Sequence, residues 1–153
     1  MREERVGYLH DCINKSKESE LFIVYSIDIC DVLRKERDRF RQAVLFLGED
    51  IAEVEGAEID VALDNESLKG LVSSLGVGID LSAFGMAAGN LTCDLSKLRY
   101  GRLTVVIDGS DDGVRFEKAV FRALKTYFGS LEEVASISSI VYSQSPNSLK
   151  SEA

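Results

Sequence analysis

Proline is nearly missing from this chain: Pro146 is the only one in 153 residues. Forced breaks are therefore few, and regular elements run until glycine or polar clusters end them. Histidine occurs once, as His10, and cysteine three times, as Cys12, Cys30 and Cys93, with no C-x-x-C pair. That inventory excludes a disulfide framework and a structural zinc site, which need more ligands at closer spacing. The thiols are expected to be buried or neutral. No apolar run approaches the roughly 20 residues that cross a bilayer. The opening Met1-Arg-Glu-Glu-Arg5 is not followed by the apolar stretch of a signal peptide. These absences point to an intracellular, cytoplasmic protein without a membrane partner.

Positive charge is also short. The chain has 18 Lys/Arg against 26 Asp/Glu, a net charge of −8, which opposes strong non-specific binding to phosphate backbones. The deficit is local: residues 48–100 hold three basic and ten acidic residues, while residues 1–47 hold nine of each.

What is present describes one globular domain. Hydrophobic residues make up 45% and charged residues 29%, a mixture able to bury a core at this length without staples. Residues 1–18 are polar and read as an arm or helix, 19–144 as the domain, and 145–153 as a polar tail. Leu21-Phe-Ile-Val-Tyr25 has strand length and strand composition. Residues 28–40 place Ile29, Val32 and Leu33 on one face, as an amphipathic helix does. Gln42-Ala-Val-Leu-Phe-Leu47 is a second strand. Asp64 or Asn65 can cap a helix with a Leu68, Leu71, Val72 and Leu75 stripe and a stop at Gly76. Residues 76–100 read mostly as loop.

Leu103-Thr-Val-Val-Ile107 is continuous and apolar, as a strand buried on both faces should be. Residues 112–128 carry Phe116, Val120, Ala123, Leu124 and Tyr127 at helical spacing, with Gly129 ending the run. Ser138-Ile-Val-Tyr-Ser143 is a last strand. Strands alternating with helices imply βαβ units and a mostly parallel sheet of about four strands. The expected core includes Phe22, Val24, Val44, Leu45, Leu71, Leu75, Val105, Ile107, Phe116, Val120 and Leu124. In such sheets sites form at the carboxyl ends of strands. That singles out the turn after Tyr25 and the loop Asp108-Gly-Ser-Asp-Asp-Gly113.

The loop resembles the start of an EF-hand, but the twelfth position from Asp108 is Ala119, where a bidentate Glu is required, and a strand precedes it. Two readings remain. Asp108 and Asp112, with the Ser110 hydroxyl, could hold a Mg²⁺-type ion, which takes hard oxygen ligands. Alternatively the loop is a solvated turn in which Asp111 or Asp112 caps the following helix.

Longer blocks carry a resemblance. Asp94-Leu-Ser-Lys-Leu-Arg-Tyr100, followed by Gly-Arg-Leu-Thr-Val-Val-Ile-Asp108-Gly-Ser-Asp-Asp-Gly113, resembles the D-x-x-K-L-R-Y, strand and D-A-D-V-D-G series of the TOPRIM domain in DNA gyrase B subunits. Ser19-Glu-Leu-Phe-Ile-Val24, Arg37-Asp-Arg-Phe-Arg-Gln-Ala-Val-Leu45, Ser73-Ser-Leu-Gly-Val-Gly-Ile79 and Val141-Tyr-Ser-Gln-Ser-Pro146 resemble further blocks of that domain in the same order, across about residues 8–150. The resemblance implies an α/β, Rossmann-like TOPRIM fold with a central, mostly parallel four-stranded sheet flanked by helices.

It also implies a Mg²⁺ cofactor, an A-subunit partner whose tyrosine cleaves DNA, and a place near the nucleoid. It assigns the metal to Asp108 and Asp112, with Ser110 standing where the family has a second Asp. Tyr25 stands where the family has its glutamate, both metal ligand and general acid–base. Ser26 replaces a turn glycine. Arg37, Arg39 and Lys97 are implied to face DNA. Phe46-Leu-Gly-Glu-Asp50 replaces P-L-x-G-K, setting acid where a DNA-facing lysine belongs, and residues 83–90 resemble a small insertion. The chain has no room for an ATPase domain, and Tyr25, Tyr100 and Tyr142 read as packing residues.

These departures favour a type II topoisomerase-like domain with weakened or lost Mg²⁺-dependent cleavage and religation, acting as a binding or regulatory module toward an A subunit or another protein. The alternative is a working B-subunit fragment that binds Mg²⁺ and supports strand passage. A different TOPRIM-type nuclease or ligase is a third, and the missing glutamate counts against it equally.

Overall fold

A computed structural model describes residues 4–8, 19–79, 94–129 and 131–143. Its frame is one sheet of five parallel strands in the order β1-β5-β4-β2-β3. The strands are β1 (Glu4–Tyr8), β2 (Glu20–Val24), β3 (Gln42–Phe46), β4 (Arg102–Ile107) and β5 (Ser136–Ser143). The four strands expected from the sequence all form. The fifth corrects the expectation for residues 1–18: Glu4–Tyr8 is an edge strand against β5, not helix. Its polarity hid it, because edge strands need no continuous apolar run. The rest of that arm, the 83–90 insertion, His10, Cys12, Cys93 and the tail lie outside the described residues.

Helices cover both faces. α1 (Ile27–Glu36) crosses from β2 to β3 and packs Ile29, Cys30 and Leu33 on Phe22, Val24 and Val106. The opposite face carries a 3₁₀ turn (Glu49–Val54), α2 (Ile59–Asp64), α3 (Glu66–Leu75) and α4 (Asp111–Tyr127). There Leu68, Leu71, Leu75, Phe116, Val120 and Leu124 meet Leu21, Ile23, Leu103, Val105 and Ile107. β2 and β4 are central and buried on both faces, hence their unbroken apolar runs. β3 is an edge strand, so Val44 and Leu45 are only partly buried; the rest of the expected core is buried.

Helix ends follow local chemistry. Asn65, not Asp64, caps α3: its side chain accepts from the Leu68 N–H at 2.9 Å. Asp64 is still inside α2, a short helix that the apolar spacing does not announce. Gly76 ends α3 at φ 78°, the left-handed region that glycine enters without a Cβ penalty.

Candidate functional site

The chain leaves β2 toward α1 on one face and leaves the neighbouring β4 toward α4 on the other. That divergence opens a crevice at the carboxyl ends of the two strands, the usual ligand position in open α/β sheets. Val24 pairs with Val106, so the residues just beyond them, Tyr25 and Asp108, face each other across the crevice.

They touch. The Tyr25 hydroxyl donates to Asp108 Oδ1 at 2.9 Å and lies 3.1 Å from Ser110 Oγ. The Ser110 hydroxyl and backbone N–H donate to the same carboxylate oxygen at 2.6 and 3.0 Å. Three donors thus converge on Asp108 Oδ1. Ser110 Oγ also accepts from the Gly113 N–H at 3.0 Å, so Ser110 caps α4. This corrects the expectation that Asp111 or Asp112 does so; both sit in the first turn, where their charge meets the positive helix end. Gly113 is required for packing: a Cβ there would sit 2.8 Å from Asp108 Oδ1 and 3.2 Å from the Tyr25 hydroxyl. The Tyr25 ring leans on Phe116 with centroids 5.0 Å apart, so the packing role read for this tyrosine is joined by a polar one. Tyr100 and Tyr142 pack against the two core clusters.

Electrostatics follow from these contacts. Partial burial works to raise the Asp108 pKa, but the Ser110 hydroxyl, the Ser110 N–H and the Tyr25 hydroxyl outweigh it, and the net shift is downward. Burial, then the Asp108 charge, push the Tyr25 phenol above its ordinary value of 10.0, against the lowering effect of Ser110. A carboxyl held low when folded adds stability above its unfolded pKa and loses it as pH falls through the folded value. Tyr25→Phe removes one of the three donors. Asp108 in that variant is expected to titrate higher, and the acid limb of stability to move to higher pH. Carboxyl carbon NMR titration reads this directly; an unmoved Asp108 midpoint would contradict it.

The Mg²⁺ that the resemblance implies does not fit this donor set. Asp112, the second expected carboxylate ligand, pairs instead with Arg115, one turn along α4. Asp108 spends one oxygen on three hydrogen bonds, and the glutamate position holds a phenol. Among the described residues, no three His, Cys, Asp or Glu side chains converge as a metal site would require.

The residues implied to face DNA are placed elsewhere. Arg37 and Arg39 lie in the turn entering β3, at the amino edge of the sheet. Five-residue strands at about 3.3 Å per residue set that edge roughly 16 Å from the Asp108 crevice. The Arg37 Nη1 donates to the Gln42 carbonyl at 3.3 Å; Arg39 and Lys97 are exposed. Asp50, in place of the family's lysine, is used structurally. Its carboxylate accepts from the Ser67 hydroxyl at 2.6 Å and the Ser67 N–H at 3.3 Å, tying the 3₁₀ turn to the start of α3.

Sequence reasoning missed one polar centre. Glu20, at the start of β2, is 2% exposed. It accepts from Thr104 Oγ1 at 2.5 Å and Gln42 Nε2 at 3.1 Å, with Arg102 Nε 3.9 Å away. A carboxylate opening an apolar strand was the available signal.

No protein-family model matches the chain. It is 33% identical over 132 residues to the DNA gyrase B protein of Thermus thermophilus, covering 86% of this chain and 20% of that protein. Over 108 residues it is 35% identical to the type 2 topoisomerase B protein of Aquifex aeolicus, 70% of this chain and 12% of that one. The DNA gyrase B protein of Campylobacter jejuni is 29% identical over 141 residues, 92% of this chain and 17% of its own length. The chain therefore spans a fifth or less of these relatives. It is related to a region of the DNA gyrase B protein. Among the described residues, no helix is long and apolar enough to cross a membrane.

Proposed function

We propose that this gyrase B-related region is a TOPRIM-type domain whose metal chemistry has been replaced by a hydrogen-bonded Tyr25–Asp108–Ser110 cluster, and that it serves as a binding or regulatory module rather than a nucleic-acid cleaving one. One observation carries the reading: the Tyr25 hydroxyl stands 2.9 Å from Asp108 Oδ1, where a cleavage-competent site needs a second carboxylate and a cation. A phenol with a raised pKa is neutral at physiological pH. It satisfies Asp108 by hydrogen bonding and supplies no ligand charge. The acidic residues 48–100 support the same reading, since phosphate is repelled there. The partner chemistry is that of a topoisomerase A subunit or another protein that docks on the intact domain.

The test mixes the purified chain with a gyrase A subunit. Complex formation in sedimentation, without Mg²⁺-dependent DNA cleavage, is expected. Restored cleavage would overturn the proposal, and the absence of any complex would rule out the A subunit as its partner.

A second reading, a working B-subunit fragment, has one specific support: Asp108 remains an ionised carboxylate at the right place in the crevice. Calorimetry with Mn²⁺ and Mg²⁺ decides it. Binding that disappears in Asp108→Ala favours this reading, and none above background ends it.

A further inference from the structure

At the amino edge of the sheet, far from the Asp108 crevice, the turn from α1 into β3 presents a phenylalanine with no cover. Phe40 is 99% exposed, the highest value among the exposed large hydrophobic residues. A Phe side chain ordinarily gains a few kcal/mol by burial, so an occupant that covers this ring gains binding energy from it. This loop is not loose by its bonding. Asp38 accepts from the Phe40 N–H at 2.9 Å and from Arg41 Nε at 2.8 Å. Its own N–H donates to Gln42 Oε1 at 2.8 Å, and its carbonyl accepts from the Arg41 and Gln42 N–H groups. The backbone of the turn is held by these bonds, and the ring projects into solvent.

The charge around the ring is opposite to that of the chain. Residues 34–41 contain five cations (Arg34, Lys35, Arg37, Arg39 and Arg41) and two acids (Glu36 and Asp38), within a chain of net charge −8. Arg41 is spent on Asp38. Arg34, Lys35 and Arg39 are exposed and show no ion pair among the described residues. An exposed aromatic ring within a cation-rich stretch suits single-stranded nucleic acid: an unpaired base stacks on the ring while the cations meet the phosphates. Duplex DNA fits less well, because its bases are already stacked.

We infer that the Arg34–Arg41 turn is a binding site for single-stranded nucleic acid, with Phe40 as the stacking platform and Arg34, Lys35 and Arg39 as phosphate contacts. The site is independent of the Tyr25–Asp108–Ser110 cluster, and its test does not depend on any A subunit.

Fluorescence anisotropy of the full chain with a labelled oligothymidylate of about 15 nucleotides, a length at the upper end of single-strand site sizes, reads it. Phe40→Ala is expected to weaken binding roughly 5- to 100-fold and to leave the thermal melt unchanged, since the ring is 99% exposed. Three phosphate contacts give a log–log salt slope of about −2, and Arg39→Ala should reduce its magnitude by about 0.7. Asp108→Ala should change neither. The inference is overturned by no binding at low salt, by equal binding of wild type and Phe40→Ala, or by equal affinity for a duplex of the same length. Self-association lost in Phe40→Ala without oligonucleotide binding would also overturn it, marking the turn as a protein-docking knob.

Discussion

Replacing Tyr25 by glutamate and Ser110 by aspartate together is expected to raise the affinity of the crevice for a divalent cation. Mn²⁺ or Mg²⁺ affinity, read by calorimetry, should rise at least about tenfold, equivalent to about 1.4 kcal/mol. The reason lies in the crevice between β2 and β4. Today its polar atoms are one carboxylate and two hydroxyls that satisfy one another. The double variant would set three carboxylates around the same point. Carboxylates so crowded repel each other, and a hard dication relieves the repulsion.

The metal-free double variant should accordingly be less stable than the natural chain. It loses the Tyr25–Phe116 ring contact, worth roughly 0.5–1.5 kcal/mol beyond burial, and gains like-charge repulsion. Added Mn²⁺ should restore much of that loss, because a ligand that binds only the folded state stabilises it. A folded double variant with no gain in affinity would show that Tyr25 and Ser110 are not what keeps the ion out. Each single substitution should give only part of the effect.

The largest stability effect is expected at the other end of the sheet. Glu20→Ala should cost about 3–5 kcal/mol, the range for removing one partner of a buried charge pair. The substitution strands the Thr104 hydroxyl in the core, removes one acceptor from the Gln42 amide and takes away the carboxylate that lies 3.9 Å from Arg102 Nε. Thr104 is fully buried and Gln42 nearly so, and groups left unsatisfied there cost about 1–3 kcal/mol each. Because Glu20 links β2 to β4 and β3 at once, the loss is felt by three strands. Thr104→Val removes one bond of the set and should cost about 1–2 kcal/mol. Urea unfolding at neutral pH measures both. A Glu20→Ala midpoint within experimental error of the natural chain would mean that the cluster is decoration and that burial of the neighbouring apolar strands carries the edge.

The two ends of the sheet differ in how far they could be read in advance. At the carboxyl end, Asp108 and Ser110 were legible because a strand, a glycine and a helix start follow one another in a short stretch. That Tyr25 belongs with them was legible only through the resemblance, since 83 residues separate it from Asp108. Its contact with them is a consequence of β2 lying beside β4. Spacing alone does not say that Asp112 pairs with Arg115 along the helix. At the amino end, Phe40 read as the last residue of an amphipathic helix. Helix α1 stops at Glu36, and Asp38 spends its bonds on a turn instead.

By itself the sequence determined the parallel α/β class, four of the five strands, the helices with strong apolar stripes and the glycine stop at Gly76. Those follow from period, propensity and burial along a few neighbouring residues. Tertiary structure alone decided that β2 and β4 are neighbours, that polar residues 4–8 close the far edge, that Val44 and Leu45 sit half covered on the near edge, and that Tyr25 and Ser110 turn Asp108 into a closed hydrogen-bonded cluster. Those depend on strand order and on contacts between residues far apart in the chain, and local sequence carries no record of either.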